Sequence, residues 1–141
     1  MSALRKNEGV VPGMAEPRGS YPHFRRAGNF IYVSGTSSRL PDGTFVGASV
    51  DENGDLSLDM RRQVQAVIEN IEEILKAAGA RLSDVVDLSV FLTSMDDFDQ
   101  FNEVYSQFFD CSGPARTTVA VRQLPHPHLL IEIKAVAYKE N

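Results

Sequence analysis

The sequence predicts an α+β two-layer sandwich, a sheet of about six strands with two helices packed on one face. Three observations lead there. Two stretches, following residues 57 and 94, repeat apolar residues every three or four positions, as one-faced helices do. Several short runs rich in β-branched residues are bounded by Gly, Pro, Asn and Asp. Their order is strand, strand, helix, strand, helix, strand, strand. The last two strands are apolar on both faces. One helix layer covers only one face, so the other is expected to pack on a second copy of the chain.

In chain order, residues 1–20 carry Gly9, Pro12, Gly13, Pro17 and Gly19 without periodicity and read as an irregular arm. The whole chain, residues 1–141, reads as a single domain. Residues 21–26 and 30–34 form two strands about a tight turn at Gly28-Asn29. Gly35 follows, and without a Cβ its backbone can approach a ligand, or it can serve a turn or bulge. Residues 39–55 are turn-rich and read as a surface loop, with a short hairpin about Phe45-Val46. A long helix then runs to Ala78, capped by Ser57 or Asp59 and closed by Gly79. Its apolar face is Met60, Val64, Val67, Ile68, Ile71, Ile74 and Leu75, and its charged residues form a solvated face. Residues 84–93 are a third strand. A second helix over residues 95–109, capped by Ser94 or Asp96, shows the stripe Phe98, Phe101, Tyr105 and Phe108, which reads as core. Residues 114–122 and 129–137 are the closing strands.

Overall composition excludes more than it identifies. The hydrophobic fraction is 43%, the charged fraction 23% and the net charge -5, a balance that favours neither nucleic acid nor an anionic membrane. No basic, aromatic-interleaved patch points to RNA. One cysteine, Cys111, forms no intrachain disulfide, which suits a reducing cytoplasm. No apolar run reaches membrane-spanning or signal length.

Two residues stand out chemically. Arg116 shares a strand face with Thr118, and a guanidinium grips a carboxylate with two parallel hydrogen bonds. Glu132 is a lone carboxylate in an apolar strand, costly to bury without a partner or a task. The pair could make a site for a small carboxylate-bearing molecule. Arg116 could equally serve a surface or intersubunit ion pair, and Glu132 could be its structural partner or a charge that guards a strand edge. His126-Pro127-His128 lacks the accompanying ligands of a metal site, and no nucleophile motif or phosphate loop is present.

The segments Ile31-Tyr-Val-Ser-Gly35, Asn102-x-x-Tyr105-x-x-Phe108-Phe109, Pro114-Ala-Arg-Thr-Thr-Val119 and Ile131-Glu-Ile-Lys-Ala-Val-Ala137 together resemble the reactive-intermediate deaminases, the RidA/YjgF-like family. The resemblance extends from about residue 20 to the end. It implies a chorismate-mutase-like fold, a homotrimer with sites in the clefts between subunits, and hydrolysis of enamines or imines with no metal or organic cofactor. Carried over by position, Arg116 is the carboxylate-binding arginine and Glu132 the acidic residue held near a water. Tyr21 lines the pocket, Gly35 offers a backbone contact, and Asn102 lies near the cleft. Thr118 stands where many such deaminases have cysteine; its hydroxyl can orient a water or a substrate oxygen but is a poor nucleophile.

Within that family, residues 20–29, the insert at 43–55 and His126-Pro-His128 resemble the 2-aminomuconate deaminases of aromatic-compound catabolism. A dicarboxylate needs a second anchor, for which Arg122, Arg39, His126 and His128 are candidates. The expected chemistry has Arg116 hold a substrate carboxylate while Glu132 serves as general base to water. Turnover of simpler 2-imino or enamino acids, or a non-catalytic ligand-binding regulatory trimer, are the alternatives.

Overall fold

In the computed structural model, which describes residues 8–141, a tight turn at a glycine joins the first two long strands of the sheet. Strands β2 (Phe24–Ala27) and β3 (Phe30–Thr36) pair antiparallel across the two-residue turn Gly28-Asn29. Gly28 has φ +60°, the left-handed conformation that a twist-matched hairpin requires of its first turn residue.

Upstream, β1 (Glu8–Gly9) adds to β2. Beyond this two-residue strand, residues 10–20 of the arm contain turns and bends with no strand or helix; residues 1–7 of it lie outside the described residues. Residues 39–55 differ from a plain surface loop. Phe45 is buried and bridges Arg39, while β4 (Ala48–Val50) and β5 (Leu56–Leu58) form a separate two-stranded sheet. The expected short hairpin about Phe45-Val46 is present, with Phe45 opposite Arg39 and the Val46 N–H donating to the Ser38 carbonyl at 3.1 Å; a second hairpin turns at Asn53-Gly54, with Gly54 at φ +83°.

Helix α1 (Met60–Ala77) begins where the Asp59 carboxylate accepts from the Arg62 N–H at 3.1 Å. It ends in a Schellman closure: Gly79 N–H donates to the Lys76 carbonyl and Ala80 N–H to that of Leu75. All seven apolar residues predicted for its inner face are buried. Strand β6 (Val85–Leu92) leads to a 3-10 turn capped by Ser94 and then to α2 (Phe98–Tyr105). α2 is shorter than its sequence pattern suggests, because Phe108 and Phe109 continue the stripe through turn hydrogen bonds to Tyr105. β7 (Ala115–Ala120) and β8 (Ile131–Tyr138) complete the sheet.

The order in the main sheet is β1-β2-β3-β8-β6-β7, antiparallel except for the β6–β7 pair. That parallel pair needs a crossover, and α2 provides it. Both helices cover one face, where Ile31, Val33, Leu88, Val90, Leu92, Ile131, Ile133, Ala135 and Ala137 meet α1. Leu129 and Leu130 precede β8 instead of belonging to it. On the opposite face Phe30, Tyr32, Val86, Val119 and Tyr138 remain exposed, with Phe30 edge-on to Tyr138 at 5.2 Å. Among the described residues, no helix is long and apolar enough to cross a membrane.

Candidate functional site

β7 is an edge strand, and its residues Arg116 and Thr118 pair with the buried Leu88 and Val90 of β6. Paired residues share a face, so both side chains stand on the helix side. There the Arg116 guanidinium carbon lies 4.7 Å from the ring centre of Tyr105, 4.9 Å from that of Phe101 and 5.9 Å from that of Phe98. The aromatic stripe of α2 thus does more than fill the core, since a guanidinium stacks favourably on ring faces while its N–H edge stays available. Among the described residues the salt bridges are Arg61–Glu103 and Lys76–Glu73, so Arg116 is left without a carboxylate. Burial pushes the Tyr105 hydroxyl's pKa up, against the opposing pull of the Arg116 charge. Among the described residues Thr118 Oγ1, itself buried, has no hydrogen-bond partner, an unusual state for a hydroxyl. Asn102 is half-buried on the same helix.

Glu132 belongs to the other face. It pairs with Phe91, alternates with the buried Ile131 and Ile133, and borders the irregular part of β3. Between Val33 and Thr36 the register with β8 slips by one residue, a bulge formed at Ser34-Gly35. A Cβ built on Gly35 would overlap Glu132 Oε1 and come within 3.0 Å of its Cδ, so only glycine admits this carboxylate. Burial pushes the Glu132 carboxyl above its ordinary range. A carboxylate so shifted accepts and returns protons nearer neutral pH.

Glu132 and Gly35 line a cleft of about 100 Å³ together with Tyr21, His126, Arg18 and Arg39. Residues of the arm form one wall. His23 pins it: Val11 N–H donates to Nδ1 at 2.8 Å, and Nε2 lies 2.8 Å from the Ala15 carbonyl. Because one ring nitrogen accepts, the proton of the neutral ring is on Nε2. Arg39 donates to the Glu16 carbonyl, and Asn70 Nδ2 donates to the carbonyls of Ser37 and Arg39 at 2.9 and 3.4 Å. The opposite wall is held by Gln63, fully buried on α1. Its Nε2 donates to the His128 carbonyl at 2.8 Å and its Oε1 accepts from the Leu130 N–H at 2.9 Å. His126 stacks 4.5 Å from Phe45. Its pKa is lowered by burial, and further by the His128 and Arg18 charges.

The predicted site residues fall into two groups. Tyr21, Gly35, His126 and Glu132 share the cleft; Arg116, Thr118 and Asn102 lie by α2 on the far side of the sheet. Glu132 is consequently not the ion-pair partner of Arg116 within one chain. Of the candidate second anchors, Arg39 and His126 line the cleft, whereas Arg122 is exposed outside it and His128 stacks on His126 at 4.7 Å. The sequence reading missed Arg18, His23, Gln63 and Asn70. A buried Gln on an otherwise apolar helix face was a readable signal; the fold-back of the arm was not. Among the described residues, no group of three His, Cys, Asp or Glu side chains could hold a metal ion.

A protein-family model described as Endoribonuclease L-PSP matches residues 13–139. A RutC family protein of Pyrococcus abyssi is 43% identical over 125 residues, 89% of this chain and 91% of that protein. A 2-iminobutanoate/2-iminopropanoate deaminase of Dermatophagoides farinae is 31% identical over 130 residues, 92% of this chain and 94% of the other. The crystal structure of RidA from an Antarctic Psychrobacter superposes with a TM-score of 0.77 at 30% identity, covering 95% of this chain and 99% of that one.

Proposed function

The chain belongs to the Endoribonuclease L-PSP family, that of the RidA/YjgF and RutC proteins, and on that premise we propose that it hydrolyses the imines or enamines of small carboxylic acids to oxo acids and ammonia. The observation that carries the reading is the pair of complementary half-sites. One is a guanidinium on three aromatic rings, with no carboxylate bound to it among the described residues. The other is a half-buried carboxylate in a small cleft, its pKa raised by burial. Neither half suffices, and one chain keeps them on opposite faces of its sheet. Joining Arg116 of one copy to the Glu132 cleft of the next uses both, and head-to-tail joining of this kind closes into a ring. A homotrimer is the ring proposed, with the exposed apolar sheet face turned inward.

In that seam Arg116 holds the substrate carboxylate and fixes the C=N carbon beside Glu132. An enamine first tautomerises to the imine. With the imine nitrogen protonated, Glu132 takes a proton from water as the water oxygen adds to the carbon, giving a neutral carbinolamine. The carboxyl returns that proton to the amino nitrogen, then takes the hydroxyl proton as the C–N bond breaks, the C=O bond forms and ammonia leaves; that last proton passes to ammonia or solvent and restores the base. Thr118 orients the water or a substrate oxygen, Asn102 and the Gly35 backbone border the reacting group, and Tyr21 and His126 line the substrate path. No organic cofactor has a role in these steps.

The substrate proposed first is 2-aminomuconate; residues 20–29, 43–55 and 126–128 support it, as does the basic lining of the cleft. A second reading, simple 2-imino acids, draws support from the name of the mite relative. Mixing purified protein with freshly generated 2-aminomuconate or 2-iminobutanoate, and following ammonia and ultraviolet absorbance, separates the two. Binding of either without ammonia release would favour a regulatory protein instead.

A further inference from the structure

The cleft around Glu132 carries more positive charge than its one carboxylate balances. Arg18 and Arg39 both line it, and Glu132 is the single acidic side chain among its lining residues. The two arginines are differently committed. Arg39 is tied to the Glu16 carbonyl. Arg18 makes no ion pair or side-chain hydrogen bond among the described residues. It is exposed at the cleft and close enough for its charge to act on His126. The backbone three residues before it is held at Ala15 by the His23 ring, and just after it the Tyr21 N–H donates to the Gly19 carbonyl at 3.0 Å in a local turn. His126 accepts the His128 N–H at Nδ1 (3.1 Å), so in its neutral form the proton sits on Nε2, where it can be donated. A guanidinium free of partners among the described residues, lining the same cleft as an imidazole N–H, is a receptor for an anionic oxygen pair.

Resting on the deaminase reading, we infer that Arg18, assisted by His126, is the specificity-determining residue for a second acidic group on the substrate, so that the favoured substrates are imines or enamines of dicarboxylic acids. Arg116 takes the carboxylate next to the reacting carbon; Arg18 takes the one at the far end. Arg39 keeps the arm in position rather than gripping the ligand.

The test measures binding of stable product-like acids to the intact oligomer by calorimetry, 2-oxoglutarate against 2-oxobutanoate. The wild-type protein should prefer the dicarboxylate by about tenfold or more, the range of a charge-assisted pair. Arg18→Gln should remove most of that preference and Arg18→Lys should restore part of it. Arg62→Gln, which deletes an equal charge on the exposed side of α1, should leave the preference in place. A wild-type protein with no preference, or an Arg18→Gln variant that retains it, would overturn the inference. Turnover is read separately: preferential binding through Arg18 without ammonia release from any imine would sink the deaminase reading and the imine substrates with it, leaving only Arg18 as the anchor of a dicarboxylate ligand.

Discussion

Arg116 and Glu132 occupy opposite faces of one sheet, Arg116 paired with Leu88 on the helix side and Glu132 paired with Phe91 on the open side. β8 and β7 flank the same strand, β6, with the two residues three positions apart along it and on opposite faces, so they cannot meet. Side chains alternate across a strand, and no rotamer carries a charge through the sheet. Any chemistry that needs both residues must use two copies of the chain.

Replacing Glu132 by Gln should abolish most ammonia release and also stabilise the fold at neutral pH. Burial raises the carboxyl's pKa in the folded state above its unfolded value. The folded protein therefore binds that proton more tightly. The group favours folding at low pH, and its contribution is lost as pH rises from the ordinary carboxylate range through the raised value. Thermal melts of both proteins across that range should converge at acid pH and separate in favour of Gln above it. Wild-type activity should rise with pH over the same interval as the base ionises.

Gly35→Ala is expected to spare the fold and damage the reaction. The added Cβ meets Glu132 Oε1, the end of a side chain that can swing away, rather than backbone. Displacing a reacting group by about 1 Å costs on the order of a hundredfold in rate. Steady-state kinetics should show the loss in kcat while the melting temperature stays nearly constant.

Thr118→Val should separate stability from activity. The hydroxyl is buried and, among the described residues, unpaired, and replacing it by a methyl of similar shape removes a desolvation cost of about 1 kcal/mol. Urea denaturation should show equal or greater stability. Ammonia release should fall about tenfold if the hydroxyl orients water or substrate; unchanged activity would dismiss that role.

Gln63→Met should destabilise the protein by about 3 kcal/mol, since it leaves the Leu130 N–H and the His128 carbonyl unsatisfied at a fully buried position. The lost clip joins α1 to the His126 segment, so the KM for substrate should rise as well. Urea titration and kinetics on the same preparation check both.

Much of the fold was legible because the signals were local. The Asp59 cap, the Gly79 closure, the seven inner residues of α1 and the Gly28 turn each follow from a few adjacent residues. What was hidden depends on distant segments meeting. Nothing near residue 8 announces that it pairs with Arg25, and nothing near Arg18 announces that the arm folds back beside Glu132. α2 looked longer because its aromatic stripe keeps helical spacing past Tyr105 while the backbone has already turned. Arg116 and Glu132 were conspicuous from their place in β-branched and apolar strand patterns, but their separation by a sheet needed the strand order.

The most direct test of a composite deaminase site is complementation. Arg116→Ala and Glu132→Gln, each inactive alone, are coexpressed so that their chains mix in one oligomer. Random mixing places an intact Arg116 against an intact Glu132 in about one seam in four. The account predicts ammonia release at roughly a quarter of the wild-type rate per seam. A mixed oligomer as inactive as either parent would contradict it.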